Sequence, residues 1–208
     1  IAAHSYDITI DLSGRVPDAE PFDPTATFVS TTTARFSTTG GDAYLNLIAD
    51  RVLAATLDGA PLSVEAFVDH KLWFAASAGE HEVTVSALCR YSRTGEGLHR
   101  FVDPVDDRVY CYSQFETADA RRAFACFEQP DLKATFAFTV IAPADWTVIS
   151  NSAAVEPVIE GQEGLDQQNG EGLDQPATIA RWTFATTPPI SSYITALIAG
   201  PFHTVTDS

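Results

Sequence analysis

The chain has 208 residues, enough for one large domain or two small ones with a sizeable core in either case. Twelve basic against twenty-eight acidic residues give a net charge of −16, which argues against nucleic-acid or anionic-membrane partners, since both call for clustered Lys and Arg. No run reaches the ~18–20 apolar residues that a membrane span requires.

The start, "IAAHSYDITIDL", has no basic segment followed by an apolar stretch, so no secretory signal is expected; it also lacks an initiator Met, which predicts missing upstream residues. From there period-two alternation dominates. In "YDITIDLS", Tyr6, Ile8, Ile10 and Leu12 share one face while Asp7, Thr9 and Asp11 take the other. "HEVTVSALCRYS" groups Val83, Val85, Ala87, Cys89 and Tyr91 in the same way. So do Leu132, Ala134, Phe136, Phe138 and Val140 in "LKATFAFTV", and Ala180, Trp182 and Phe184 in "ARWTFATT". These are half-buried strands with one wet face, the pattern of antiparallel sheets. Gly40-Gly41, Asp58-Gly59, Gly79 and Pro143 read as turn signals between them. Many strands with little helix predict a single all-β domain over 1–208, built as a sandwich or several packed sheets.

One stretch, "YCYSQFETADARRAFACFEQPDLKATF" at 110–136, departs from that rhythm. "VYCYSQFE" alternates Val109, Cys111, Ser113 and Phe115 against Tyr110, Tyr112, Gln114 and Glu116. Ala120, Ala123, Phe124 and Phe127 then fall at i, i+3, i+4 and i+7, which predicts one short helix at about 117–127. Thr117 would cap it, Asp119 would sit in its first turn, Arg121 and Arg122 would point outward, and Pro130 would end it. Tyr112, Gln114 and Glu116 would project from one strand face at the joint, where a rigid element presents groups to the outside. Further on, residues 156–176 hold Glu-Gly-Leu-Asp-Gln twice in an acidic, Gly- and Gln-rich run and read as a mobile hairpin insertion.

No complete catalytic constellation is present. His81-Glu82 begins an H-E-x-x-H pattern, but position 85 is Val and the segment alternates as a strand, so it reads as structural, with an exposed His and Glu. The calcium-loop spacing, the nucleophile elbow and the phosphate-binding loop are all missing. Cys89, Cys111 and Cys126 are odd in number and widely spaced. That argues against a disulfide framework and for a reducing, cytoplasmic location.

The 110–136 stretch resembles the amino-terminal domain of zinc-dependent aminopeptidases of the aminopeptidase N type, whose run reads T-Q-F-[EQ]-x-x-x-A-R-x-x-F-P-C-F-D-E-P-x-x-K-A-x-F. Here it stands as Ser113-Gln114-Phe115-Glu116, Ala120-Arg121, Phe124-Ala125-Cys126-Phe127-Glu128-Gln129-Pro130 and Lys133-Ala134-Thr135-Phe136. "GLHRF" at 97–101, "VISNS" at 148–152 and "TTPPISSYITALIAGPF" at 186–202 are similar to flanking segments of that domain, in the same order. Ala125 replaces the family's Pro, and Glu128-Gln129 its Asp-Glu.

The resemblance implies a saddle-like, antiparallel multi-sheet β-sandwich that packs beside a catalytic domain and helps to form a pocket for peptides with a free amino terminus. It implies that Glu116 grips the α-amine of the substrate and that Gln114 lines the pocket of the first side chain. Zinc, bound through H-E-x-x-H, would belong to the catalytic domain, so this chain is expected to hold neither metal nor catalytic residues. It is expected to be an excised, inactive fragment. A second reading stays open: a free-standing β-sandwich interaction or carbohydrate-binding module, for which three Trp and six Tyr leave room.

Overall fold

A computed structural model describes residues 1–15, 22–161 and 178–205. Two long strands dominate it. β2 (Thr27–Asn46) and β6 (Lys71–Arg90) pair antiparallel along their lengths, from Thr27 opposite Arg90 to Asn46 opposite Lys71. Gly40, Gly41 and Gly79, read as turns from the sequence, lie inside these strands instead. All three have positive φ, at 97°, 113° and 140°. Glycine takes such angles without Cβ strain, so the ribbon passes through a segment where other residues would resist it. Asp58-Gly59 is the turn expected, joining β3 (Arg51–Leu57) to β4 (Ala60–Pro61).

Nine strands form one sheet among the described residues. Besides those four it holds β1 (Ala2–Asp11), the two-residue β5 (Phe67–Val68), β9 (Thr135–Pro143), β11 (Val158–Gly161) and β12 (Thr178–Thr183). Its order is β11-β12-β9-β1-β2-β6-β3-β4, with β5 beside β6. A second sheet has the order β10 (Thr147–Ser150), β13 (Leu197–Gly200), β8 (Val109–Gln114) and β7 (Gly97–Val102). The all-β expectation holds, with one exception to its antiparallel character: β1 and β9 run parallel, Ser5 opposite Thr135 through Asp11 opposite Ile141. The predicted hairpin at 156–176 begins within the described residues as β11, which pairs with β12; residues 162–176 of it lie outside them.

Each alternating stripe faces the core. Tyr6, Ile8 and Ile10, then Val83, Val85, Ala87 and Cys89, then Phe136, Phe138 and Val140 are buried, and their polar neighbours are partly open. Cys111, Leu98, Val148, Leu197 and Ala199 of the second sheet belong to the same apolar cluster.

The helix expected at 117–127 does not form. Only Ala120–Arg122 make a 3-10 turn, entered from Asp119, and Thr117 caps nothing. The physical reason lies in burial. Ala120, Ala123, Phe124 and Phe127 are buried as their helical spacing predicts, but so are Ala125 and Cys126 between them. With Ala123 through Phe127 all buried, that stretch has no wet side and gains nothing from helical amphipathicity. Its backbone finds partners elsewhere: Asn46 and Cys126 exchange N–H···O bonds of 2.8 and 3.1 Å, and the N–H of Phe127 donates to the Tyr6 hydroxyl at 3.1 Å. Phe124 meets Phe115, Phe136 and Phe138 edge-on, with centroids 5.9, 6.2 and 5.8 Å away. This plug joins the end of β8 to the large sheet.

Candidate functional site

The site is built at the end of β8. Cys111 is buried and Tyr112 and Gln114 are exposed, as the alternation of β8 requires; beyond the strand end Phe115 is buried, and Glu116, expected on the strand face, is exposed in the turn that follows. Phe115 is pinned edge-on to Phe124, so the backbone bearing Glu116 is held to the core by its neighbour. A second tie comes from Asp119, whose N–H donates to the Phe115 carbonyl at 3.1 Å.

Glu116 has no ion pair and no side-chain hydrogen bond among the described residues, although Arg121 and Arg122 follow it closely. Arg122 Nε is committed to Asp119 Oδ1 at 2.6 Å. Its aliphatic stem also lies against Gly97, where an added Cβ would come within 2.9 Å of the Arg122 Cβ. Gly97 stands opposite Gln114 in the β7–β8 ladder, and its lack of a side chain is what admits the arginine. Arg121 and Arg122 are therefore half-buried rather than projecting freely.

Gln114 is placed in a way the sequence did not disclose. Its side-chain Oε1 accepts the N–H of Glu116 at 2.8 Å. The side chain is exposed, but one of its two ends already serves the backbone two residues on.

Other titratable groups nearby are structural. Glu128 accepts from Ser192 Oγ and from the Arg121 N–H, both at 2.7 Å, and its own N–H meets Asn46 Oδ1 at 3.3 Å. It thereby ties the plug to the end of β2 and to the 3-10 turn at Ser192–Ile194. Burial pushes the Cys89 and Cys111 thiols up to about 12, and that of Cys126 well up too. Such thiols carry no thiolate at neutral pH and are not nucleophiles. His81, expected to be exposed, is mostly covered: its side chain is 8% accessible, with both ring nitrogens engaged by Asp58 and the Ser77 carbonyl.

A cavity of about 390 Å³ lies at the end of β2, lined by Tyr44, Asn46, Phe127 and Glu128 among others. Gln114 and Glu116 are not part of its lining. The pair stands instead on an open surface, beside a row of aromatic side chains. His99 and Tyr112 lie opposite each other with ring centroids 4.9 Å apart, and Phe101 reaches Tyr110 at 5.6 Å. Ile198 continues the row across β13 and Ile149 across β10. This exposed apolar face escaped the sequence reading. The alternation of His99 and Phe101 with Leu98 and Arg100 was the available signal.

Comparison with known proteins shows the family of this chain. The Peptidase M1 N-terminal domain family matches residues 82–194, which include β7, β8, the plug and β9. Aminopeptidase N of Streptomyces lividans is 46% identical over 209 residues, covering 99% of this chain and 21% of that protein. Aminopeptidase N of Acetobacter pasteurianus is 40% identical over 137 residues, or 62% of this chain and 33% of the relative. The alanine/arginine aminopeptidase of Saccharomyces cerevisiae is 31% identical over 127 residues, or 60% and 13%. The chain thus spans about a fifth of the length of its Streptomyces relative. On the extent of these matches, the chain belongs to the Peptidase M1 N-terminal domain family.

Proposed function

We propose that this chain is the substrate-anchoring domain of a zinc metallo-aminopeptidase, and that Glu116 binds the free α-amine of a peptide. The observation that carries the reading is the state of the Glu116 carboxylate: exposed, fixed through its backbone, and without a cation although two arginines stand within six residues. An ammonium group offers three donors and needs an acceptor-only partner, which a carboxylate is. A charge-assisted hydrogen bond of this kind contributes ~1.5–3 kcal/mol. Only a peptide with an unblocked amino terminus can collect that energy, so the contact would make the enzyme an exopeptidase.

The described residues do not fit zinc. No three His, Cys, Asp or Glu side chains among them converge on a point where an ion could sit. The His81-Glu82 pair is committed, His81 to Asp58 and Glu82 to Arg35 at 2.9 Å. As part of the same proposal, zinc and the hydrolytic groups would be supplied by polypeptide outside this chain, which by itself would bind substrate and cleave nothing. The 208 residues are read as one domain of that longer protein. Three free, buried thiols support a reducing, cytoplasmic setting.

The test is Glu116→Ala in the full-length polypeptide. The expected outcome is a fall in kcat/KM for aminoacyl substrates of about tenfold to a few hundredfold, from the energy range above, with metal content unchanged. Wild-type kinetics would remove the assignment.

A further inference from the structure

The arginines of this acidic chain are not spread evenly over it. Arg90, Arg93 and Arg122, three of its twelve basic residues, line one cavity of about 420 Å³. Its volume falls within the ~300–1,000 Å³ of small-molecule sites. Ser92 and Thr94 bring hydroxyls to the same lining, and Glu96 brings one carboxylate. Arg90 ends β6, Arg93 lies in the loop before β7 and Arg122 ends the 3-10 turn of the plug, so only the fold joins them.

The guanidinium groups are oriented but not used up. Arg90 gives its Nε to Asp50, and Arg122 gives its Nε to Asp119 at 2.6 Å. Neither aspartate lines the cavity. Each carboxylate holds one flank of a guanidinium, and the terminal nitrogens have no hydrogen bond among the described residues. The side chain of Arg93 is exposed and has no hydrogen bond or ion pair among them. Glu96 is favoured as an anion by its own N–H, then by the Thr94 hydroxyl. Against the three arginines it sets one negative charge within the lining.

The frame of the cavity is fixed before any ligand arrives. The Ser92 N–H donates to the Leu98 carbonyl at 2.8 Å, and the Ser92 carbonyl accepts the Arg100 N–H at 3.0 Å. The Thr94 N–H donates to Ser92 Oγ at 3.2 Å, and the Arg122 stem is braced against Gly97. Such preorganisation lowers the ordering cost of binding.

We propose that this cavity binds a phosphate group, as the free ion or as a monoester, through Arg90, Arg93 and Arg122 with Ser92 as a hydroxyl donor. A phosphate monoester carries about −1.5 to −2 charge at neutral pH and three strong acceptor oxygens. Guanidinium groups meet such oxygens through paired N–H bonds, whereas a lone carboxylate has only two oxygens to share among three arginines. None of these residues belongs to the amine-binding reading, and the site does not depend on it.

Phosphorus NMR on the full-length polypeptide, at fixed ionic strength in sodium chloride, tests the site with inorganic phosphate and phenyl phosphate as probes. The expected result is a line broadening that saturates with probe concentration. In Arg93→Gln the dissociation constant is expected to rise about tenfold or more, through loss of a charge-assisted contact. Arg108→Gln, which removes an arginine paired with Asp145 outside the cavity, is expected to leave it unchanged. Glu116→Ala is expected to bind both probes as the wild type does, which separates this site from the amine-binding one. Saturable binding of inorganic phosphate alone assigns the free ion, and binding of phenyl phosphate assigns the ester; either upholds the site. Broadening that does not saturate, or that is the same in the wild type and Arg93→Gln, would overturn it.

Discussion

Asp58 in the β3–β4 turn and Glu116 after β8 are both carboxylates beside strand ends, and they have been put to opposite use. Asp58 is spent on the fold. One oxygen accepts the N–H of Glu82 at 2.9 Å, the other faces His81 Nδ1 at 2.7 Å, and its own N–H donates to the Glu82 carbonyl at 2.8 Å. Among the described residues Glu116 makes no such contact through its side chain, while its backbone N–H is bound by Gln114 and its neighbour Phe115 packs on Phe124. Accessibility alone would not distinguish them, because the Asp58 side chain is itself 49% exposed. The distinction is one of partners: a carboxylate whose acceptors are filled stabilises a turn, and one left open at a fixed position is available to a ligand.

The largest effect is expected behind the open carboxylate. Phe124 is fully buried and touches Phe115, Phe136 and Phe138, so Phe124→Ala should cost about 3–5 kcal/mol of stability, as large-to-small changes in well-packed cores do. Urea denaturation measures it; a cost under about 1 kcal/mol would mean the plug does not support the site. Next comes Asp58→Ala, expected to destabilise on the order of 1 kcal/mol through the lost backbone bond. Glu116→Ala should lie within about 0.5 kcal/mol of the wild type, as for surface positions without partners. If the two alanine variants destabilised equally, the contrast between the carboxylates would be lost.

A pH dependence sharpens the same contrast. Both ring nitrogens of His81 face acceptors, Asp58 at 2.7 Å and the Ser77 carbonyl at 3.0 Å, and a neutral imidazole has only one N–H to donate. The bond to Asp58, then that to Ser77, raise the His81 pKa, while Glu80 adds in the same direction. Glu82 is turned to Arg35, itself also paired with Asp7, and His4 lies 3.2 Å from Glu80. A raised folded value means that the His81 contribution is complete below the ordinary histidine value of ~6.5 and is lost as pH rises through the folded value. Asp58 is shifted down, first by the Glu82 N–H and then by His81. Its contribution is present above the ordinary carboxylate range and is lost as pH falls through its lowered value. Stability measured from about pH 5 to about pH 9 should therefore decline less on the alkaline side in His81→Gln than in the wild type. Identical profiles would contradict the doubly bonded ring.

Much of this was legible beforehand, and the gaps have physical causes. Alternation placed Tyr6, Val85, Phe136 and Ala180 in the core because the side-chain period of a strand is fixed. It said nothing about partners, so the parallel pairing of β1 with β9 stayed hidden. The helix was misread because Ala120, Ala123, Phe124 and Phe127 do repeat at helical spacing; what decides the matter is the burial of Ala125 and Cys126, a tertiary fact. At the site, parity gave the exposure of Gln114 and Glu116 around buried Phe115, but not that β8 ends at Gln114 and leaves Glu116 in a turn. The Gln114 bond to the Glu116 N–H did not, since it depends on how the chain turns after β8.

The central claim is that Glu116 recognises a free amine, and the coupling between that carboxylate and the ligand's nitrogen tests it most directly. Dissociation constants for a peptide and its N-acetylated counterpart, measured on the full-length wild type and on Glu116→Gln, form a closed cycle. The account predicts that acetylation weakens binding to the wild type by about tenfold or more, in line with ~1.5–3 kcal/mol for the contact, and has a much smaller effect on the variant. An equal effect of acetylation on both proteins would contradict it.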